Sequence, residues 1–268
     1  TVVYSHDGIV ESMQVVHKGG ANSSEEIERV VQLNGVPREV IRKNDVVTCY
    51  MSGSRSVLVG KQKFAGSLFT TKNKKFANLG DTYSFRLSGV GRVAGKLTSV
   101  IDIQPMDKFR YGYKLWLSKD NALLLKSELV SAEGDVLERV MFVQMEVLDS
   151  IPEAMLKPSI SGELFTWHTD KERPNSSVKQ LDNWLFSKLP AGFKITAVSK
   201  HKMPNSEMPA DHVVITDGLA SVSVYIESFG VQSQPFVGSS RMGAVNIYGV
   251  VVSDHQVTVV GEVPELTV

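Results

Sequence analysis

Apolar and polar residues alternate with a period of two along most of the chain, which predicts a protein built mainly from β-strands. Short runs rich in β-branched and aromatic residues are separated by dipeptides such as Asp7-Gly8 and Asn34-Gly35. These dipeptides tolerate positive φ angles and therefore favour tight hairpin turns. The first part of this pattern predicts strands at Glu26–Leu33, Arg38–Arg42 and Val46–Tyr50.

The same alternating pattern continues from Tyr83 to Leu148 and predicts a meander of strands. Short turns such as Lys119-Asp120-Asn121 and Glu133-Gly134-Asp135 join these strands. Between Phe64 and Leu79 the residues are small, polar and lysine-rich, which predicts a short helix or a helical loop. A long antiparallel sheet of this kind curves and needs apolar groups on its concave side.

A change in composition marks the predicted domain boundary. The stretch Ile151–Val178 holds three of the ten prolines, together with serines and mixed charge. A length of 268 residues suggests two domains at about 150 residues each. We therefore predict an N-terminal domain at residues 1–155, a linker at 156–180 and a smaller C-terminal domain at 181–268.

Charge and cysteine content exclude some classes of protein. The 29 basic and 29 acidic residues balance, which argues against a dedicated nucleic-acid binder. The one dense basic run, Lys72–Lys75, is predicted to be a solvated helix face. Cys49 is the only cysteine, so an intrachain disulfide is excluded. No apolar run reaches the ~18 residues that a membrane span needs. The sequence starts at Thr1 without a Met, so we expect a processed or trimmed chain.

The sequence contains motifs that resemble catalytic or cofactor-binding sites, but the residues around them do not fit such sites. "GVGRVAG" at Gly89–Gly95 resembles a dinucleotide loop, but a β-rich run follows it where a helix is required, which predicts a strand–turn–strand. None of the six histidines forms a metal-binding pair by spacing, and His168 with Asp170 is predicted to lie in a solvated linker. Asp254-His255 is predicted to belong to the turn Ser253-Asp254-His255 of a hairpin. We predict no catalytic, cofactor or metal site, and so no enzyme.

Six segments carry a resemblance to a known family. Those in the first half are "VVYSHDGIVESMQVVHK", "ERVVQLNGVPREVIRKND" and "CYM", and those in the second half are "LPAGFK", "HVVITDGLASVSVYIE" and "RMGAVNIYGVVVSDHQVTVVGEVP". In this order they resemble the RseB/MucB family, which comprises periplasmic negative regulators of the sigma-E (AlgU-type) envelope-stress response. The resemblance implies an α+β fold that is mostly antiparallel β. Its parts would be a LolA/LolB-like incomplete β-barrel and a small α/β C-terminal domain.

The resemblance also implies a function without chemistry. Such a protein lies in the periplasm, binds the periplasmic segment of a transmembrane anti-sigma factor (RseA/MucA-like) and shields it from site-one proteolysis. Lipid or a lipopolysaccharide-type ligand would trigger release, and neither a cofactor, a nucleic acid nor a membrane span is expected. The alternative is a periplasmic lipid or lipoprotein carrier of the LolA type. The oligomeric state is not predicted, and both a monomer and a homo-oligomer are compatible with the sequence.

Seven residues are candidates for binding. Trp167 and Trp184 flank the linker, where they are either aromatic anchors for the partner or packing at the domain junction. Arg241 and Met242 precede the last hairpin and either contact the partner or cap a loop. Candidates for a lipid cavity, with core packing as the alternative, are Tyr111 and Tyr113 on one face of a strand and Trp116 on the other.

Overall fold

In the part of the chain that the computed structural model describes, the alternating pattern forms eighteen strands, which are accompanied by three short 3-10 helices. The structure describes residues 1–19, 25–61, 79–169, 184–202, 209–228 and 234–268. Twelve strands form a first sheet: β1 Val2–His6, β2 Ile9–Lys18, β3 Ile27–Gln32, β4 Arg38–Lys43, β5 Val46–Met51, β6 Ser56–Lys61, β7 Tyr83–Val93, β8 Lys96–Pro105, β9 Gly112–Ser118, β10 Leu124–Val130, β11 Val136–Phe142 and β12 Thr166–Thr169. Six form a second sheet: β13 Lys194–Lys202, β14 Pro209–Thr216, β15 Ser221–Ser228, β16 Gly238–Met242, β17 Val245–Val252 and β18 His255–Gly261. The 3-10 helices are Leu79–Asp81, Glu153–Leu156 and Glu265–Thr267.

The first sheet consists of two series of antiparallel hairpins joined by its first strand. Its order is β12-β6-β5-β4-β3-β2-β1-β11-β10-β9-β8-β7, with β1 between β2 and β11. Among the described residues β7 and β12 do not pair with each other, so the sheet stays open. This agrees with the expected incomplete barrel. Strand β12 pairs with β6 in parallel and lies inside the stretch that was predicted to be a linker.

Two-residue turns with positive φ connect many of the strands. Asp7 and Gly8 have φ angles of 44° and 75°, and Ser253 and Asp254 have 46° and 61°. Both residues of such a turn need positive φ to match the twist of the flanking strands. The predicted turn at residues 253–255 is therefore one residue too long, because His255 already pairs with Val252 as the first residue of β18.

The motif "GVGRVAG" is the end of β7 and its turn, which confirms the predicted strand–turn–strand. Val93 pairs with Lys96 across the turn residues Ala94 and Gly95, and β8 follows antiparallel to β7. The amides of this motif are therefore in a hairpin and not at the N-terminus of a helix.

The second sheet buries one of its faces. Alternate residues of β14 and β15 point to the same side and form the core, together with Phe193, Val263 and Ala220. The six strands follow the order β13-β14-β15-β18-β17-β16 and all neighbours are antiparallel.

The helical part of the predicted fold class is wrong for the described residues, which contain 3-10 turns but no α-helix. The described part of the C-terminal domain is an antiparallel sheet and not α/β, because its sequence keeps the period of two throughout. The helix predicted at Phe64–Leu79 and the basic run Lys72–Lys75 lie outside the described residues, apart from Leu79.

The segment at residues 234–237 crosses the second sheet directly above Gly249. The side-chain amide of Gln256 holds this segment by two hydrogen bonds. The backbone amide of Phe236 donates to Oε1 of Gln256 (3.0 Å), and Nε2 of Gln256 donates to the carbonyl of Phe236 (2.8 Å). A methyl group on Gly249 would overlap both the ring and the carbonyl oxygen of Phe236.

We expect Gly249→Ala to destabilise the protein by about 1–3 kcal/mol, because the crossing segment must shift or strain. Urea unfolding measures this change. The matched control is Gly80→Ala, since no atom lies within 4 Å of the added methyl group there. Equal unfolding midpoints for the two variants would contradict the tight packing at Gly249.

Candidate partner-binding site

A buried arginine links the two sheets at one end of their junction. Arg110 precedes β9 and is 2% exposed. Its Nε lies 3.4 Å from Oδ2 of Asp217 in the second sheet's β14–β15 turn and 3.5 Å from Oδ1 of Asp107. Tyr83 of the first sheet donates its hydroxyl to Asp217 (3.0 Å), and burial, reinforced by that carboxylate, raises the pKa of Tyr83. A charge buried this deeply is stable only while these partners stay in place.

Two aromatic rings and a close backbone contact complete the surroundings of Arg110. The guanidinium carbon lies 5.4 Å from the ring centroid of Tyr83 and 4.8 Å from that of Phe193, so one ring comes from each sheet's part of the chain. Nη2 donates to the carbonyl of Ala191. Gly192, with a φ of 81°, lies against Thr82 so closely that a side chain would collide with it.

Further contacts fix the second sheet against the first. Asn246 is 5% exposed and donates to the hydroxyl of Tyr111 (3.0 Å) and to the carbonyl of Val263 (2.8 Å). The carboxylate of Asp7, in the β1–β2 turn, accepts from the amide of Gly243 in the β16–β17 turn (2.6 Å). These bonds hold the two units in one defined orientation.

A cleft of about 590 Å³ opens beside these contacts, between the two units. Its charged side chains are of both signs, three basic and three acidic, which suits a polar extended segment more than an acyl chain. The first unit contributes Lys108, Arg110, Tyr111, Ser131, Ala132, Glu133, Asp135 and Leu137, and the second contributes Ser239, Ser240, Arg241, Asn246, Pro264, Glu265 and Leu266.

An apolar strip runs across one face of the first sheet at the β7 edge. Phe85 and Leu87 are 50% and 72% exposed there. They pair with Ile103 and Ile101 of β8, and the strip continues onto Tyr113 of β9. Burial raises the pKa of the Tyr113 hydroxyl, and the nearby carboxylate of Glu262 raises it further.

A second pocket, of about 410 Å³, lies between Tyr50, Trp167 and the loop at residues 158–163. The carboxylate of Glu39 holds this loop: it is 0% exposed and accepts from the amides of Ser159 (2.9 Å) and Ile160 (3.1 Å). Arg29 forms an ion pair with the same carboxylate. The loop that lines this pocket is therefore held in place by the buried carboxylate of Glu39.

The structure brings two of the seven predicted binding residues into one cavity. Arg241 and Tyr111 both line the cleft between the units, and Met242 lies beside Arg241 with 68% of its surface exposed. Tyr113 lies in the apolar strip. Trp116 lies on the opposite face of the sheet, with Nζ of Lys126 3.9 Å from a ring centroid of the indole.

The two linker tryptophans lie apart. Trp167 is 53% exposed, meets Tyr50 edge to face at 6.2 Å and donates its indole N–H to the carbonyl of Gly162 (3.0 Å). Trp184 packs against the core of the second sheet and meets His255 edge to face at 5.3 Å.

Sequence reasoning missed Arg110, Asn246 and Glu39. A signal was present for two of them: Arg110 stands between two aromatic residues, and Asn246 is a lone amide within an otherwise apolar strand. Polar groups in such positions are buried only when they have specific partners. The identity of those partners depends on the packing of the two units.

The histidine of the last hairpin makes structural hydrogen bonds. Nε2 of His255 lies 3.1 Å from the hydroxyl of Ser228 across β15 and β18, and Nδ1 lies 2.7 Å from the carbonyl of Ser253. A carbonyl therefore occupies the place that a carboxylate takes in a catalytic triad. Within the described ranges no three His, Cys, Asp or Glu side chains form a group that could hold a metal ion. Asp170, the predicted neighbour of His168, lies outside them.

Comparison with known families assigns both parts of the chain. Residues 1–160 match the family model of the MucB/RseB N-terminal domain, and residues 178–268 match that of the MucB/RseB C-terminal domain. The chain belongs to the MucB/RseB family. The segment between the two matches falls within the predicted linker at 156–180.

Individual relatives of the MucB/RseB family agree over nearly the whole chain. The sigma factor AlgU regulatory protein MucB of Pseudomonas aeruginosa is 30% identical over 98% of this chain and 81% of its own length. The sigma-E factor regulatory protein RseB of Haemophilus influenzae is 25% identical over 88% of this chain and 73% of its own.

Solved structures of MucB are similar to this chain over nearly its whole length. The complex of MucA and MucB from Pseudomonas aeruginosa aligns with a TM-score of 0.75 at 28% identity, over 99% of this chain and 88% of that one. A crystal structure of MucB aligns with a TM-score of 0.66 at 27% identity, over 99% of this chain and 86% of that one. No helix among the described residues is long and apolar enough to cross a membrane.

Proposed function

We propose that this chain binds the periplasmic segment of a MucA-type anti-sigma factor and so represses a sigma-E-type stress response. The observation that carries this proposal is the whole-chain alignment with the structure of the MucA/MucB complex, which covers 99% of this chain at 28% identity with a TM-score of 0.75. The polar cleft between the units supplies a site, and Arg241 and Met242 are our candidate contacts. The protein would act in the periplasm, without chemistry of its own.

The mechanism is steric shielding coupled to the arrangement of the two units. A segment held between the units is inaccessible to a site-one protease. A ligand that prefers a different arrangement shifts the equilibrium by its differential affinity for the two states. Each buried CH₂ of an acyl chain offers about 0.8 kcal/mol, so a few of them offset a typical coupling of roughly 1–3 kcal/mol.

The test is a pull-down with the periplasmic segment of the organism's own MucA-type anti-sigma factor, followed by a site-one protease assay. We expect stoichiometric capture and at least a tenfold slower cleavage of the bound segment. Heat-unfolded protein at the same concentration is the control for substrate competition. Absence of both capture and protection would refute the proposal.

The apolar strip favours a second candidate function, the transport of lipid. Phe85 and Leu87 expose apolar surface next to the buried Ile103, as a site for an acyl chain would. Native mass spectrometry of protein incubated with lipid vesicles would detect a bound acyl ligand. Stoichiometric lipid without any capture of the anti-sigma segment would favour the carrier over the regulator.

A further inference from the structure

Strand β16 has a free main-chain edge. It is the last strand in the order of the second sheet, and no described residue pairs with its outer side. The β16–β17 turn is Gly243-Ala244, with a φ of 62° at Gly243, and Met242 pairs with Val245 across it. In a hairpin with a two-residue loop, the pair next to the turn exchanges both hydrogen bonds, and bonded pairs then alternate along the strand.

This alternation determines which backbone groups are available. Gly238, Ser240 and Met242 direct their N–H and C=O groups to β17. Ser239 and Arg241 therefore direct theirs away from the sheet. Both residues line the cleft between the units, and both are exposed. Two donors and two acceptors thus point outward along the wall of a preformed cavity.

We infer that β16 is a docking edge, at which an extended polar segment of the anti-sigma factor pairs with the main chain of Ser239 and Arg241. This inference rests on the proposed function and gives the site of the contact. Main-chain pairing at a sheet edge provides affinity, and alternate side chains of the added strand provide specificity.

The cleft favours a single segment over a second copy of the chain. Its volume of about 590 Å³ is in the range of sites that hold one small ligand, roughly 300–1,000 Å³. Charges of both signs face it, which matches polar side chains on a bound strand. Val237, just before β16, and Met242, its last residue, are 64% and 68% exposed and offer apolar contacts to residues that flank the paired stretch.

A proline at Ser239 tests the pairing. Proline lacks the N–H group and is tolerated where an edge strand directs that group to solvent. We expect Ser239→Pro to weaken binding of the periplasmic segment about tenfold or more, since a hydrogen bond is lost and the partner's carbonyl stays unpaired. Ser239→Ala keeps the N–H group and should lose clearly less affinity than Ser239→Pro. Both variants should keep the unfolding midpoint of the unchanged protein.

Hydrogen exchange of single amides, followed by NMR, separates this inference from the proposed function. The amides of Ser239 and Arg241 should exchange fast in the free protein and slow at least tenfold on binding, whereas the amide of Ser240 is protected in both states. Binding of the segment without new protection at Ser239 and Arg241 would overturn the docking edge and leave the proposed function intact. No binding to the unchanged protein would overturn both. Self-association that Ser239→Pro abolishes would assign the edge to a second copy instead.

Discussion

Arg110→Met should destabilise the protein by about 3–5 kcal/mol, because it leaves a buried carboxylate without its cation. Asp217 has a fully buried side chain and would lose the guanidinium 3.4 Å away. The contacts of the guanidinium with the rings of Tyr83 and Phe193 would also be lost. Urea unfolding gives the free energy, and small-angle X-ray scattering should show a larger radius of gyration as the units separate.

Two comparisons make this prediction specific to the buried charge. Arg92→Met changes an exposed arginine in the β7–β8 hairpin and should cost less than about 0.5 kcal/mol. The double variant Arg110→Met/Asp217→Asn should be more stable than the sum of its single changes, since no uncompensated charge remains between these two positions. A cost below 1 kcal/mol for Arg110→Met alone would show that the junction does not depend on this residue.

Glu39→Ala should have an effect of similar size, roughly 3–5 kcal/mol, at the other end of the first sheet. The carboxylate is the shared acceptor for Arg29, for the backbone and hydroxyl of Ser159 and for the amide of Ile160. Its removal leaves a cation that is 11% exposed without its carboxylate. The loop that forms the pocket beside Trp167 would then lose its anchor.

Unfolding and amide exchange together measure this loss. In the unchanged protein the amides of Ser159 and Ile160 should be protected, and in Glu39→Ala they should exchange at rates near those of an open loop. Glu153→Ala, at an exposed acid just before this loop, is the matched control and should change neither quantity. Persistent protection of both amides without Glu39 would mean that another group holds the loop.

The local structure of this protein follows from its sequence to a large extent. The predicted strands at Arg38–Arg42 and Val46–Tyr50 each differ from the observed strand by one residue at the end, and the turn at Glu133–Asp135 lies between β10 and β11. These features depend on neighbours in the sequence, namely alternation and the tolerance of positive φ. The meander follows for the same reason, because consecutive strands pair with one another.

The junction between the units does not follow from local pattern. The two aromatic neighbours of Arg110 indicate that it can be buried, but its partners come from residues 83, 107, 191, 193 and 217. Asn246 reads as an isolated polar residue, and its partners Tyr111 and Val263 are distant in the chain. Whether such a group is buried depends on which face of the first sheet packs against the second unit. Alternation with a period of two predicts only which residues lie on the same face of a strand.

The position of β1 has a consequence for how the chain reaches its folded state. Val2 lies opposite Met13 on one side and opposite Phe142 on the other. The two halves of the first sheet therefore cannot join until some 140 residues have been synthesised, however quickly the separate hairpins form. Contacts between such distant residues slow folding and leave strand edges exposed in the meantime. The β1–β11 pairing should therefore be a late step in the folding of this chain.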